Sequence, residues 1–509
     1  MYNHWFVSRQ KRRLTMIYPA LISFSNVCVG KKWSGNTELQ LKLEDDLQSH
    51  DITQHGTLRA RRVGTGGGGI RTLFKELKDL GLVFLEDENG RCQLTLIGED
   101  IVKNKMSFAD AIRLQLQRYQ YPSATSWQGS GSVSHEFRVH PFQFMLRLLR
   151  DQRLEGKLTQ DEMRYIVIHH ATSDSQSCLD GIVSSILKYR SDKQLPDHVE
   201  DEKKTYDNIA NTFFNYITLT QYVDRGVGML LVRQGAEEKI DAFIENQPKF
   251  IPHPEDSEIY QRAFGRGNQA KDLRDFSKNY SKTQQELIEA LIRRAYVQLA
   301  LSRPISSITH ELVVTISDET GVDQKKVKTF LIENYSRGNV DDFFVNYREL
   351  AHLGRAGAKD FEIATCEIFK DIFKMKVKHV GPIGNTPDVY VESQEEGYCG
   401  IIDNKAYDNG YSISGDHERV MKDVYIPNIH VYGESDYPLA FFSYISGSFG
   451  ANINSQLKKL HDETGVDGSA MPVDLLIDFA EDYQKKGYTH KDIRRVFSVN
   501  REVMLSDIE

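Results

Sequence analysis

Apolar residues recur at helical spacing over residues 70–80 (IRTLFKELKDL), and Gly81 ends the helix this predicts. Residues 82–85 and 91–97 then read as two strands around Glu88-Asn89-Gly90, because Asn-Gly between apolar runs is a hairpin turn. Helix followed by hairpin is the order of a winged helix. A second block repeats the cadence. Residues 141–150 (PFQFMLRLLR) form an amphipathic helix, and Thr159-x-x-Glu162 is a capping box opening a helix over 160–170. Residues 207–222 form a helix, residues 229–233 a strand, and a further helix starts at Glu237. Phe213, Phe214 and Tyr216 are expected in its core. Residues 256–346 read as helical and charged, interrupted by Pro304 and Gly338-Asn339.

The pattern changes again near the C-terminus. Residues 361–375 (FEIATCEIFKDIFKM) predict an amphipathic helix, followed by a short strand over 377–380 and a Gly/Pro turn. A strand from Asp388 to Glu392, a polar turn and a second strand from Tyr398 towards Lys405 complete the segment. The expected domains are two winged-helix-like units at 1–130 and 131–255, a helical connector at 256–346, and an α/β domain with a mixed central sheet at 347–509.

Composition narrows the class. The 509 residues are 40% hydrophobic and 27% charged, enough for ordinary cores. No uninterrupted apolar run approaches the ~20 residues of a membrane span, and the N-terminal stretch does not read as a signal peptide. A cytoplasmic protein with no membrane partner is expected. Five scattered cysteines without a CxxC pair argue against a disulfide framework and a structural zinc cluster.

The net charge of −8 hides an asymmetry. Residues 1–120 carry 18 Lys+Arg against 13 Asp+Glu, a net of +5, while residues 351–509 carry 17 against 26, a net of −9. A positive front fits nucleic-acid contact. Arg59, Arg61, Arg62, Arg71, Lys75 and Lys78 cluster in or before the first candidate recognition helix, where long cationic side chains reach phosphates or guanine edges. The glycine run at 64–69 lacks the Gly-Lys-Ser/Thr of a phosphate loop. It reads as a hinge, or as a close approach of main-chain N–H groups to a DNA backbone.

Residues two apart on a strand share a face, so Asp403 and Lys405 point together, and pairing of the strands can bring Asp388 alongside. Two carboxylates and a lysine at a sheet end suit phosphodiester hydrolysis. Hard oxygen ligands favour Mg²⁺, and a nearby ammonium stabilises negative charge. Spacing alone also fits ordinary surface ion pairing.

The context adds to it. Asp403-Asn404-Lys405-Ala406-Tyr407-Asp408-Asn409-Gly410-Tyr411 resembles the core of the FokI-type cleavage domain, a member of the PD-(D/E)xK nuclease superfamily. Lys378-His379-Val380-Gly381 leading to Pro387-Asp388, and Ser446-Gly447-Ser448-Phe449 with the segment Gln456 to Leu460 and Thr464, resemble the arms on either side. The front of the chain resembles the AlwI/BstNBI group of type IIS restriction and nicking enzymes, through Gly81-Leu82-Val83-Phe84, the hairpin into 94–98 and Gln120-Tyr121-Pro122-Ser123. These resemblances imply binding of a short asymmetric site in double-stranded DNA and Mg²⁺-dependent cleavage at a fixed distance outside it. They imply Asp388 and Asp403 as metal ligands, Lys405 as the catalytic lysine and Glu367 as an additional acid. They also imply a transient homodimer through a helix beginning near Gly415, with Arg419 of one chain meeting Asp423 of the other, and a cognate DNA methyltransferase. The alternatives are a strand-specific nicking enzyme and a sequence-specific DNA-binding regulator with a vestigial nuclease domain.

Overall fold

The structure, a computed structural model, describes residues 4–8, 14–50, 52, 68–126, 136–192, 203–226, 228–255, 257–268, 271–276, 283–336, 338–381, 385–407, 410–433 and 435–508. The chain divides into two compact units: residues 1–298 with 307–338, and residues 299–306 with 339–509.

The first unit is rich in helices. The helix Gly68–Asp79 runs into β1 (Val83–Leu85), which pairs antiparallel with β2 (Cys92–Leu94). The expected second strand stops at Leu94 rather than Ile97. Thr95 turns the chain there: its side chain accepts the Gly98 N–H at 3.1 Å and caps the helix Leu96–Val102. The later block holds β3 (Lys157–Thr159), β4 (Val223–Gly226) and β5 (Met229–Val232), ordered β3-β5-β4. The Thr159–Glu162 capping box is present in both directions. The helix it opens widens into a π-helical turn, Met163–Val167, before closing at Ile168–His170. Helix Lys203–Thr218 starts and ends earlier than its apolar pattern suggested, because β4 begins at Val223. Phe213, Phe214 and Tyr216 are fully buried in this unit, as core residues should be.

The second unit is a six-stranded mixed sheet of order β11-β10-β9-β8-β7-β6. Its strands are β6 (Lys376–His379), β7 (Val389–Ser393), β8 (Tyr398–Lys405), β9 (Leu439–Ser446), β10 (Asp467–Pro472) and β11 (Arg501–Glu502). β6, β7 and β8 pair antiparallel, and β8 to β11 run parallel. Alternation along the central strands feeds two cores. Ile402 and Phe441 pack on one face with Phe361, Phe369, Phe479 and Phe497, from the helices Ala358–Glu367, Val473–Lys486 and His490–Phe497 and the turn after the first of them. Ile401 and Phe442 pack on the other with Tyr411, Met421 and Leu457. Burial on both faces explains why these strands read as apolar runs rather than as alternating ones. The helix Ala358–Glu367 continues into a π-helical turn, Ile368–Ile372.

Candidate active site

The register of β7 and β8 pairs Val389 with Ile402, so the next step sets Asp388 opposite Asp403. Asp388 Oδ2 accepts the Asn404 backbone N–H at 2.6 Å, and its carboxyl group lies close enough to that of Asp403 for the two to interact electrostatically. Asp403 Oδ1 lies 2.7 Å from Lys405 Nζ. The sheet therefore brings Asp388, Asp403 and Lys405 together. Burial, and then the Asp403 carboxylate, push the Asp388 pKa up to about 9. Burial pulls the Lys405 ammonium down, but Asp403 and Asp388 outweigh it and hold its pKa above the ordinary value. Lys405 also sits over the Tyr411 ring, 5.9 Å from its centre, and the Tyr411 hydroxyl meets His417 Nδ1 at 2.9 Å.

Glu367 is not part of this cluster. Its pKa is raised by burial and by Asp371, and its other charged neighbours are Lys370 and Arg303. Besides Asp403, the acid whose charge acts on Asp388 is Glu362, whose Oε2 meets His379 Nε2 at 2.9 Å. Glu362 and Glu367 are five residues apart and flank opposite sides of the buried stripe Phe361, Ala364, Thr365 and Ile368. The amphipathic pattern marks both flanks, but only the packed sheet shows which one faces the carboxylates.

Two close carboxylates, one of which raises the proton affinity of the other, suit a divalent cation in place of the proton. Among the described residues no group of three or more His, Cys, Asp or Glu side chains stands ready to hold a metal alone. The donor set fits Mg²⁺, which binds through one or two carboxylates and takes its remaining oxygens from water and substrate.

The other sequence-derived residues are placed as follows. Arg59, Arg61, Arg62 and residues 64–67 of the glycine run lie outside the described residues. Arg71 and Lys75 are exposed on the helix Gly68–Asp79. Lys78 differs from the expected surface cation. It is 2% exposed, donates to Ser257 Oγ at 3.1 Å, and burial lowers its pKa to about 8. Arg419 and Asp423 are exposed and, among the described residues, no ion pair joins them. They straddle the junction between the helix Gly415–Val420 and the π-helical turn Met421–Tyr425. Their neighbours are committed elsewhere: Lys422 to Glu463 at 3.0 Å and Glu418 to Lys459 at 2.5 Å.

Comparison with known proteins gives two family matches in chain order. Residues 78–330 match the family of the AlwI restriction endonuclease, and residues 321–504 match that of the FokI cleavage domain. Both resemblances read from the residues are borne out. The type II restriction enzyme FokI of Planomicrobium okeanokoites is 27% identical over 195 residues, covering 35% of this chain and 34% of that protein. The type II restriction enzyme StsI of Streptococcus sanguinis is 27% identical over 147 residues, covering 27% and 24% respectively. The matched part thus spans about a third or less of those relatives. A solved structure of restriction endonuclease FokI aligns over 98% of this chain and 99% of its own, with 13% identity and a TM-score of 0.31.

Proposed function

We propose that this chain is a type IIS restriction endonuclease. It binds a short asymmetric site in double-stranded DNA through residues 1–255, and hydrolyses phosphodiester bonds at a fixed distance outside it with the domain at 347–509. Residues 256–346 are the connector. The observation that carries the reading is the convergence of Asp388, Asp403 and Lys405 at one sheet end, inside the segment that matches the FokI cleavage-domain family. We assign the C-terminal unit to the PD-(D/E)xK fold and the helix–hairpin blocks of the first unit to winged-helix-like recognition modules. The proposed setting is cytoplasmic; no described helix is long and apolar enough to cross a membrane.

In this mechanism Asp388 and Asp403 would hold Mg²⁺. A cation held by these residues would supply neutralisation of phosphate charge and easier deprotonation of water to the attacking hydroxide. Lys405, fixed by Asp403, supplies a permanent positive charge for the phosphate and an ammonium that orients the water. Burial strengthens that charge relative to its strength in water. Glu362, in contact with His379, adds negative charge beside the carboxylates. Cutting both strands takes two such sites, and the exposed Arg419 and Asp423 are proposed to meet those of a second copy in a transient homodimer. A restriction activity also implies a cognate methyltransferase acting on the same site.

The test is a Mg²⁺-dependent digest of supercoiled plasmid with sequencing of the ends. Linear fragments ending at a constant distance from one sequence are expected. Open circles alone would identify a nicking enzyme. Sequence-specific binding without any cleavage would leave a DNA-binding regulator.

A further inference from the structure

We propose that Asn404, between Asp403 and Lys405, is a positioning residue that locks the helix carrying Glu362 to the strand carrying the two site residues. The inference rests on the nuclease reading above. Asn404 points to the opposite face of β8 from its neighbours. There its Nδ2 donates to Thr365 Oγ1 at 2.7 Å, on the helix Ala358–Glu367. Thr365 Oγ1 also meets the Tyr347 hydroxyl at 2.8 Å, and the Thr365 hydroxyl donates to the Phe361 carbonyl at 3.0 Å. With the Thr365 proton committed to Phe361, the oxygen accepts from both Asn404 and Tyr347. Thr365 and Tyr347 are fully buried, and Asn404 is 9% exposed.

The backbone of the same residue acts on the other side. Its N–H holds Asp388 Oδ2 at 2.6 Å. One residue therefore connects three elements: the start of β7 through Asp388, the end of β8, and the helix three residues along from Glu362. Among the described residues Asn404 Oδ1 has no hydrogen-bond partner. An amide with half its bonding capacity unmet in a core is a poor way to gain stability, since an apolar residue of similar size carries no such penalty. What the amide provides is a single register of helix against strand, and so a fixed distance from Glu362 to the carboxylates.

The experiment compares Asn404→Leu, Thr365→Val and the double variant with the wild type, in the full chain. Each single substitution should lower kcat for plasmid cleavage by about tenfold or more, the range seen when residues supporting metal ligands are removed. KM for DNA and the thermal midpoint should change little. The double variant should be no slower than Asn404→Leu alone, because the two residues act through one hydrogen bond. Titration calorimetry with Mg²⁺ alone reads the same coupling without cleavage: affinity should fall in Asn404→Leu and no further in the double. A double variant with wild-type kcat and Mg²⁺ affinity would overturn the proposal. So would independent, multiplying effects, or a loss of kcat matched by a loss of thermal midpoint. A wild type that binds Mg²⁺ but does not cut DNA would instead overturn the nuclease reading and leave the calorimetry to decide Asn404. A wild type that does neither overturns both.

Discussion

At Asp388 opposing influences compete. Burial and the Asp403 charge favour the protonated form, and Lys405 opposes them without prevailing. A carboxyl in that state is released for metal binding only when a cation replaces the proton, so the pair and the lysine work as a unit. Asp403→Asn should abolish cleavage while leaving DNA binding in a mobility shift intact. Lys405→Met should slow cleavage by at least ~100-fold, the scale for losing one preorganised stabilising charge; near-normal turnover in either variant would sink the assignment. Glu362 offers a sharper comparison with Glu367. Glu362→Gln should reduce kcat by about ten- to a hundredfold, and Glu367→Gln by less than about twofold, because only the former faces Asp388. Equal effects in a side-by-side kinetic assay would remove Glu362 from the site.

Among the elements, β8 depends on a glycine. A Cβ at Gly400 would stand 2.5 Å from the Phe441 ring, which is itself fully buried in the next strand. Gly400→Ala should cost about 1–3 kcal/mol by overpacking, read as a lower thermal midpoint; an unchanged midpoint would show that the ring can yield. The helix Gly68–Asp79 raises a different issue, since it ends on a buried acid where the helix dipole disfavours negative charge. Asp79 accepts the Ser8 N–H at 2.7 Å and the Ser123 and Thr125 hydroxyls, yet burial still pushes its pKa up to about 6. A raised carboxyl pKa makes the folded state hold its proton more tightly than the unfolded one. Stability relative to a non-titrating Asp79→Asn variant should therefore fall as pH rises from about 4 to 6, by about 3 kcal/mol in all, and stay level above. Melting both proteins across that window tests it, and a difference that does not vary with pH would refute it.

At the scale of the whole molecule, an acidic C-terminal part of net −9 has little attraction for DNA by itself, which suits a cutter delivered by a separate recognition part. The proposed dimerisation would supply a second control. Arg419→Asp would place acids at both exposed positions and should reduce double-strand cleavage at least tenfold, with nicked circles accumulating. Adding Asp423→Arg should restore it by reversing every cross-pair, and failure of that rescue would argue for a different interface. Much of this plan was legible in the chain. The apolar periods marked the helices 70–80, 141–150 and 361–375, the Asn-Gly turn marked the hairpin, and strand parity put Asp403 and Lys405 on one face. These are local properties, set by neighbours a few residues apart, so the sequence determines them by itself. Other features came only with packing. Thr95 ends β2 by capping the next helix. Lys78 turns inward to Ser257, 179 residues away. Glu362 rather than Glu367 faces the carboxylates, and Asn404 reaches Thr365, 39 residues away, across the sheet. Sequence spacing carries the period of a helix or strand, but which flank meets which partner depends on how distant segments pack, and only the tertiary structure decides that.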